Sequence, residues 1–320
     1  MIVPRRIRGI GPAWLLVVVL LGALAPCLAP LPPDLQEDVA GARYLPPFAR
    51  AHLLRVSGQR SVIVTALRST SDGWEFVRAG QPGSLPAARV SEPPVARVYL
   101  LGTDSLGRDL ASRLLYGLRH SLGIAALSVA LALALGVAVG AAAGLAGGGW
   151  DGWLMRGVDV LRSIPRLLLY FVCASLFQPS TLLVVLVLGA TTWTGVARIA
   201  RAEMLALRES GLAAAARAAG LPPVRTMFRH LLPQMGSILA VTAALRFADT
   251  LLLESALALL GLGSPPPAIS LGGIMGSGRD ALADAWWIAA WPGLLITTLL
   301  LALRSTTARF FRVSDPSSVA

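Results

Sequence analysis

Between Arg119 and Asp151 no side chain of this protein is formally charged, and residues 121–146 are mostly Ala, Leu, Val and Gly. A membrane-crossing helix needs about 20 mostly apolar residues, because every backbone amide must be bonded inside the segment once water is gone. This run meets that requirement with residues to spare. The rest of the chain points the same way: its 320 residues are 55% hydrophobic and only 14% charged, with a mean hydropathy of +0.68. Water alone does not keep such a chain dispersed.

Further crossings are expected. Residues 13–31 form an apolar stretch behind Arg5, Arg6 and Arg8, an arrangement that a cleavable signal peptide shares. Leu24, Ala25, Pro26 and Cys27 sketch a lipoprotein cleavage box, but proline before the cysteine obstructs processing and no small-x-small site stands nearby. The segment therefore reads as an uncleaved anchor. Residues 158–199 are apolar again, interrupted at Gln178, Pro179 and Ser180, which predicts a tight turn between a third and a fourth span. A fifth is expected over 236–256 and a sixth over 286–303, with Trp286, Trp287 and Trp291 suited to one membrane interface.

Six spans place both termini on one side, and arginine says which. The chain has no lysine. The N-terminal arginines, Arg156, Arg162 and Arg166, the arginine-rich stretch from Arg198 to Arg229, and Arg304, Arg309 and Arg312 fall on one face under strict alternation. The positive-inside rule makes that face cytoplasmic. The opposite face holds residues 32–118. Within them 61–67 and 74–77 read as strands around Ser71, Asp72 and Gly73, a small β-hairpin. This segment is either a plain solvated insertion or a docking surface for an external partner.

Several chemistries are absent. Cys27 and Cys173 lie in apolar stretches, and His52, His120 and His230 have no metal-ligand spacing, so neither a disulfide framework nor a metal or other cofactor is indicated. A phosphate-gripping P-loop requires lysine. Any ATP that drives this protein is therefore expected to be hydrolysed on a separate polypeptide.

One polar stretch looks built for contact: RESGLAAAARAAGLPPVRTMFRHLLPQ, residues 208–234. Ser210 caps a short alanine helix, Gly220 ends it in the left-handed conformation, and Pro223 opens a second helix that stops near Pro233. A helix this short is marginal alone and must pack against something. Ala214, Ala215, Ala218 and Ala219 permit close approach.

This segment resembles the coupling loop of ABC importer permeases, the EAA loop that seats in a groove of the ATPase. Gly220 and the HLLP run from His230 to Pro233 match the pattern, and Arg208, Glu209 and Ala215 fall within it. It departs where Ala214 replaces the family glutamate and where Gly211 and Leu212 replace an acidic-aromatic pair. Three further stretches are similar to the C-type permease of dipeptide, oligopeptide and nickel importers: LGTDSLGRDLASRLLYGLRHSL (101–122), MRGVDVLRSIPRLLL (155–169) and ESALALLGLGSPPP (254–267), with AWWIAAWPG (285–293) continuing the last.

The resemblance implies an all-α polytopic membrane protein of about six helices, with the type I ABC importer permease fold. Residues 1–31 would be the cytoplasmic N-terminus and anchor, and 32–118 the periplasmic segment, its 44–97 portion longer than usual. Residues 119–306 would be the core, with the coupling loop at 200–234, and 307–320 the cytoplasmic tail. Implied partners are a homologous second permease, two ATP-binding subunits, a periplasmic solute-binding protein and membrane lipid, with no nucleic acid. The solutes would be short peptides or relatives such as nickel chelates, opines and glutathione.

Charges inside spans need their own account. Arg246 and Asp249 share a face of the fifth span at i, i+3, as a self-neutralising pair or as part of the pathway. Glu254 matches the family run and would anchor an external gate. Arg166 reads as snorkelling from a span end, with no role assigned. Gly102, Thr103, Asp104, Gly107, Arg108 and Asp109 read as a turn and a capped helix start. A secondary transporter would also show broken helices, as at 261–267, but would need no coupling loop. A membrane enzyme would need a denser constellation than Arg246, Asp249 and Glu254.

Overall fold

The chain opens on α1 (Ile10–Ala23), apolar on every side, and α2 (Ala25–Leu28), whose first turn accepts Pro26. The computed structural model describes residues 10–57 and 61–313, with side chains for 11–57 and 61–308. Arg5, Arg6 and Arg8 lie outside the described residues, as do the side chains of Arg309 and Arg312. The first span, expected over 13–31, is thus two shorter helices that meet at Leu24.

The segment between α2 and the core contains more than one hairpin. After α3 (Val39–Ala42) come β1 (Ala49–Leu54), β2 (Val62–Val64), β3 (Ala66–Thr70), β4 (Gly73–Arg78), β5 (Gln81–Pro86) and β6 (Val95–Tyr99). They form two antiparallel three-stranded sheets, ordered β2-β1-β6 and β3-β4-β5. The predicted hairpin exists as β3–β4, with Thr70 opposite Gly73. Its first strand, expected over 61–67, is split between the two sheets. The reason is burial: Ile63 enters a core with Leu53, Tyr99 and Ala42 and Val64 is fully buried, while β3 is largely exposed.

A turn joins this unit to the helices. Thr103 Oγ accepts from the Leu45 amide at 2.8 Å and donates to Ala42 O, while Trp287 Nε1 donates to Thr103 O at 3.3 Å. Asp104 Oδ1 accepts from the amides of Leu106 and Arg108 at 2.9 and 3.0 Å. Asp109 then caps α4 (Leu110–Ala146) through the Ser112 amide at 2.7 Å. The predicted turn and capped start are present, and the cap sets the helix start well before Ser121.

Past Gly147 come α5 (Gly148–Ser163), α6 (Arg166–Leu176) and α7 (Thr181–Arg208). The third span, expected from residue 158, is broken at Ile164 and Pro165, where proline cannot extend the preceding helix. The turn predicted at 178–180 is present, and Ser180 caps α7 through the Leu183 amide at 3.1 Å. α4 and α7 pack along a glycine seam: a Cβ on Gly136 would stand 2.5 Å from Val196 Cβ, one on Gly144 2.8 Å from Met204 Cβ, and one on Gly140 would land on Ala197 O.

α8 (Gly211–Ala218) and α9 (Pro223–Thr226) follow, then a π-helical turn (Met227–Leu231), α10 (Leu232–Gln234) and α11 (Gly236–Leu259). Pro233 does not stop the path. It occupies the first turn of α10, where its missing N–H costs nothing, and the wider π turn absorbs the offset. α12 (Leu271–Gly278) and α13 (Trp287–Val313) complete the fold. α4, α7, α11 and α13 are long and apolar enough to cross a membrane, and α1 and α6 are shorter apolar helices. Leu110, Leu118, Leu251, Ile274, Ile288 and Leu299 form the main core between α4, α11, α12 and α13.

Candidate functional site

α8 stands at the end of the bundle where α4 finishes. Arg208, the last residue of α7, donates through Nη1 to the terminal carbonyls of α4, Gly144 O at 3.4 Å and Leu145 O at 3.3 Å, a cation on the negative end of that helix. Glu209 is exposed at the corner. Ser210 caps α8 through the Ala213 amide at 3.4 Å. Gly220, with φ of 72°, closes it, aided by the Leu221 amide donating to Ala216 O at 3.1 Å.

The alanines divide by face. Ala213 is buried against Met204, Leu231 and Met235, and Ala216 is buried as well. Ala214, Ala215, Ala218 and Ala219 are exposed. α8 therefore has one face docked on its own bundle and one smooth face turned outward. His230 is half-buried in the π turn and Pro233 exposed at the start of α10, so both shape the base of the loop.

Arg246, Asp249 and Glu254 do not gather into one site. Arg246 Nη1 donates to Asp249 Oδ2 at 3.4 Å, so the predicted pair is present, and the Asp249 side chain is 52% exposed. Glu254 points elsewhere and is 1% exposed. Ser255 donates to its Oε2 at 3.3 Å, and Ser121 of α4 and Ser270 at the start of α12 stand beside it. Glu254 Oε1 has no partner among the described residues. Its carboxyl thus stands among α4, α11 and α12.

Sequence reasoning read Arg166 as snorkelling from a span end, with no role. Pro165 ends the path of α5, and Arg166 stands exposed at the first position of α6.

Residues 136–317 match the family described as binding-protein-dependent transport system inner membrane component. A Brucella suis protein named as a peptide transport system permease is 36% identical over 255 residues, 80% of this chain and 85% of that protein. The dipeptide transport system permease protein DppC of Escherichia coli K12 is 41% identical over 204 residues, 64% of this chain and 68% of that one. DppC of Haemophilus influenzae is 30% identical over 293 residues, 92% and 84% of the two chains. Among solved structures, the inward-facing MetNI methionine ABC transporter shares the fold, with a TM-score of 0.53 at 19% identity over 63% of this chain and 96% of that one.

The chain belongs to the family of binding-protein-dependent transport system inner membrane components. It is a multi-pass membrane permease subunit of an ABC importer. A secondary transporter finds no support in these matches.

Proposed function

We propose that this subunit forms half of the pathway of a short-peptide importer and that α8 is its coupling contact with a separate ATP-binding subunit. The observation that carries this reading is the two-faced α8: a capped helix between two membrane-crossing helices, its inner alanines buried and its outer alanines exposed. Such a face suits a groove on a partner. Arg208 fixes the helix to the end of α4, so a push on α8 reaches both α4 and α7. The solute class follows from the relatives named for peptide and dipeptide transport.

In this reading a homologous permease supplies the other half, two ATP-binding subunits hydrolyse ATP, and a periplasmic binding protein delivers the solute. Both termini are cytoplasmic. Residues 1–31 anchor the chain, 32–118 form the periplasmic segment, 119–306 the core, and 307–320 the tail. Arg208, Glu209, Ala214, Ala215, Gly220, His230 and Pro233 belong to the coupling loop, and Glu254 holds the outer gate by its seat between α4 and α12.

The test is gentle extraction from the native membrane, mass spectrometry of what copurifies, and cysteine cross-linking from Ala215→Cys. Copurification of a second permease and an ATPase, with the cross-link on the ATPase, is expected. Self-association alone overturns the importer assembly, and a cross-link only within this chain overturns the role of α8.

A further inference from the structure

A cavity of about 510 Å³ opens where four parts of the chain meet: Pro33 and Asp34 after α2, the first half of α4, Thr181 at the start of α7, and residues 267–269 ahead of α12. This volume lies within the about 300–1,000 Å³ of small-molecule sites. Under the proposed topology all four parts are at the periplasmic end. Depth agrees: Arg119, in the cavity wall, stands 27 residues before Ala146, the last residue of α4, which is about 40 Å of helix. A hydrocarbon layer is about 30 Å thick, so Arg119 is at its watery edge.

Two opposite charges line the cavity without meeting. Arg119 is exposed, and among the described residues no acid lies within ion-pair distance of it. The Asp34 side chain is 55% exposed and uses only Oδ1, at 3.4 Å from Arg113 and 4.0 Å from Arg108; its Oδ2 has no partner among the described residues. His120 is also in the wall, with its Nε2 buried and unbonded among the described residues. Ile124 and Leu127 add an apolar side. Such a lining suits a small ligand that carries both charges and an apolar body.

α4 keeps the space open. An added Cβ on Gly117, Gly136, Gly140 or Gly144 would stand 3.1 Å or less from a neighbouring element, so packing requires those glycines. On Gly123, in the cavity wall, it would meet nothing within 4 Å. Glycine inside a helix is destabilising relative to alanine, and here no contact demands it.

We propose that this cavity is a receiving site for a zwitterionic short peptide, whose carboxylate binds Arg119 and whose ammonium group binds Asp34, with its apolar side chains against Ile124 and Leu127. The proposal rests on the reading of the solute as a peptide.

The test uses the complete importer in proteoliposomes. Uptake of a dipeptide, its C-terminal amide and its N-acetyl form, all delivered by the same binding protein, is measured for the wild type, Arg119→Gln, Asp34→Asn and Gly123→Leu. Native mass spectrometry reads the copurifying subunits and lipid. Arg119→Gln is expected to lose about tenfold of the preference for free acid over amide, and Asp34→Asn about tenfold of the preference for free amine over N-acetyl, each sparing the other. Gly123→Leu, which fills the cavity from a position that touches nothing, should cut uptake of the free dipeptide about tenfold with all subunits still bound. Variants that transport all three as the wild type does overturn the site, as does loss of both preferences together in each charge variant. Loss of the second permease from a variant also overturns it, because the cavity is then a subunit contact. So does a phospholipid that the wild type retains and Gly123→Leu releases. A wild type that takes up no peptide overturns the peptide reading, and the site with it.

Discussion

Arg78 clasps Asp38 with two hydrogen bonds, Nε to Oδ2 at 3.0 Å and Nη2 to Oδ1 at 2.8 Å, joining residues 40 positions apart. The same carboxylate accepts from the Gly41 amide at 3.1 Å, capping α3, and from the Ile63 amide of β2 at 2.9 Å. One buried anion therefore ties α3, the first sheet and β4 of the second sheet together.

Asp38→Ala is expected to destabilise the strand-bearing unit by about 2–3 kcal/mol, since it strands two buried amides as well as a cation. The Arg78 side chain is 44% exposed, so Arg78→Ala should cost less, about 1 kcal/mol. Hydrogen exchange of the β1, β2 and β4 amides in the purified protein checks the order.

The same carboxyl predicts acid sensitivity. Burial raises its pKa, but the hydrogen bond from Arg78, the amides of Ile63 and Gly41 and the Arg78 charge outweigh it and hold the group below its ordinary value. A pKa lower in the folded state gives stability that is present above the unfolded value and lost as pH falls through the folded one. Protection of β2 should be constant above about pH 5 and fall below about pH 4. Asp38→Asn should flatten that profile.

Substitutions along the α4–α7 seam should depend on what faces each glycine. Gly140→Ala gains up to about 1 kcal/mol of helix propensity but drives a methyl onto a backbone carbonyl, costing about 1–3 kcal/mol, so the net change is a loss. Gly157→Ala on α5 meets nothing within 4 Å and should raise stability by about 0.5–1 kcal/mol. Thermal unfolding of the two variants in detergent should shift in opposite directions.

Asp151 anchors the start of α5 to α7 through Arg201. The hydrogen bond from Arg201 holds this carboxyl below the ordinary range, and Asp159 repeats the link with Arg198 further along. Arg201→Ala should loosen α5, seen as faster labelling of a cysteine at Trp153. Arg201→Lys should restore part of the protection. Equal labelling in all three proteins would show that the pair does not hold the helix.

Much of this architecture was legible locally. The apolar runs, the caps at Asp109 and Ser210, the turn at 178–180, and the left-handed glycine at Gly220 depend on residues within a turn or two, so sequence spacing reports them directly. The split of residues 61–67 between two sheets was not legible, because a strand chooses its sheet by which partners bury it. Nor was the path through Pro233, because a π turn upstream relieves the proline.

The sequence by itself determined that this chain dissolves in a membrane, where its four long apolar helices and its short alanine helix lie, and that it carries no lysine with which to grip a nucleotide phosphate. Those properties are set by composition and by neighbours along the chain. Only the tertiary structure decided that Arg208 seats on the end of α4, that Glu254 is sealed among serines of other elements, and that Asp38 binds two sheets together. Charge proximity and burial arise between segments far apart in sequence, and helix packing and strand pairing alone set those distances.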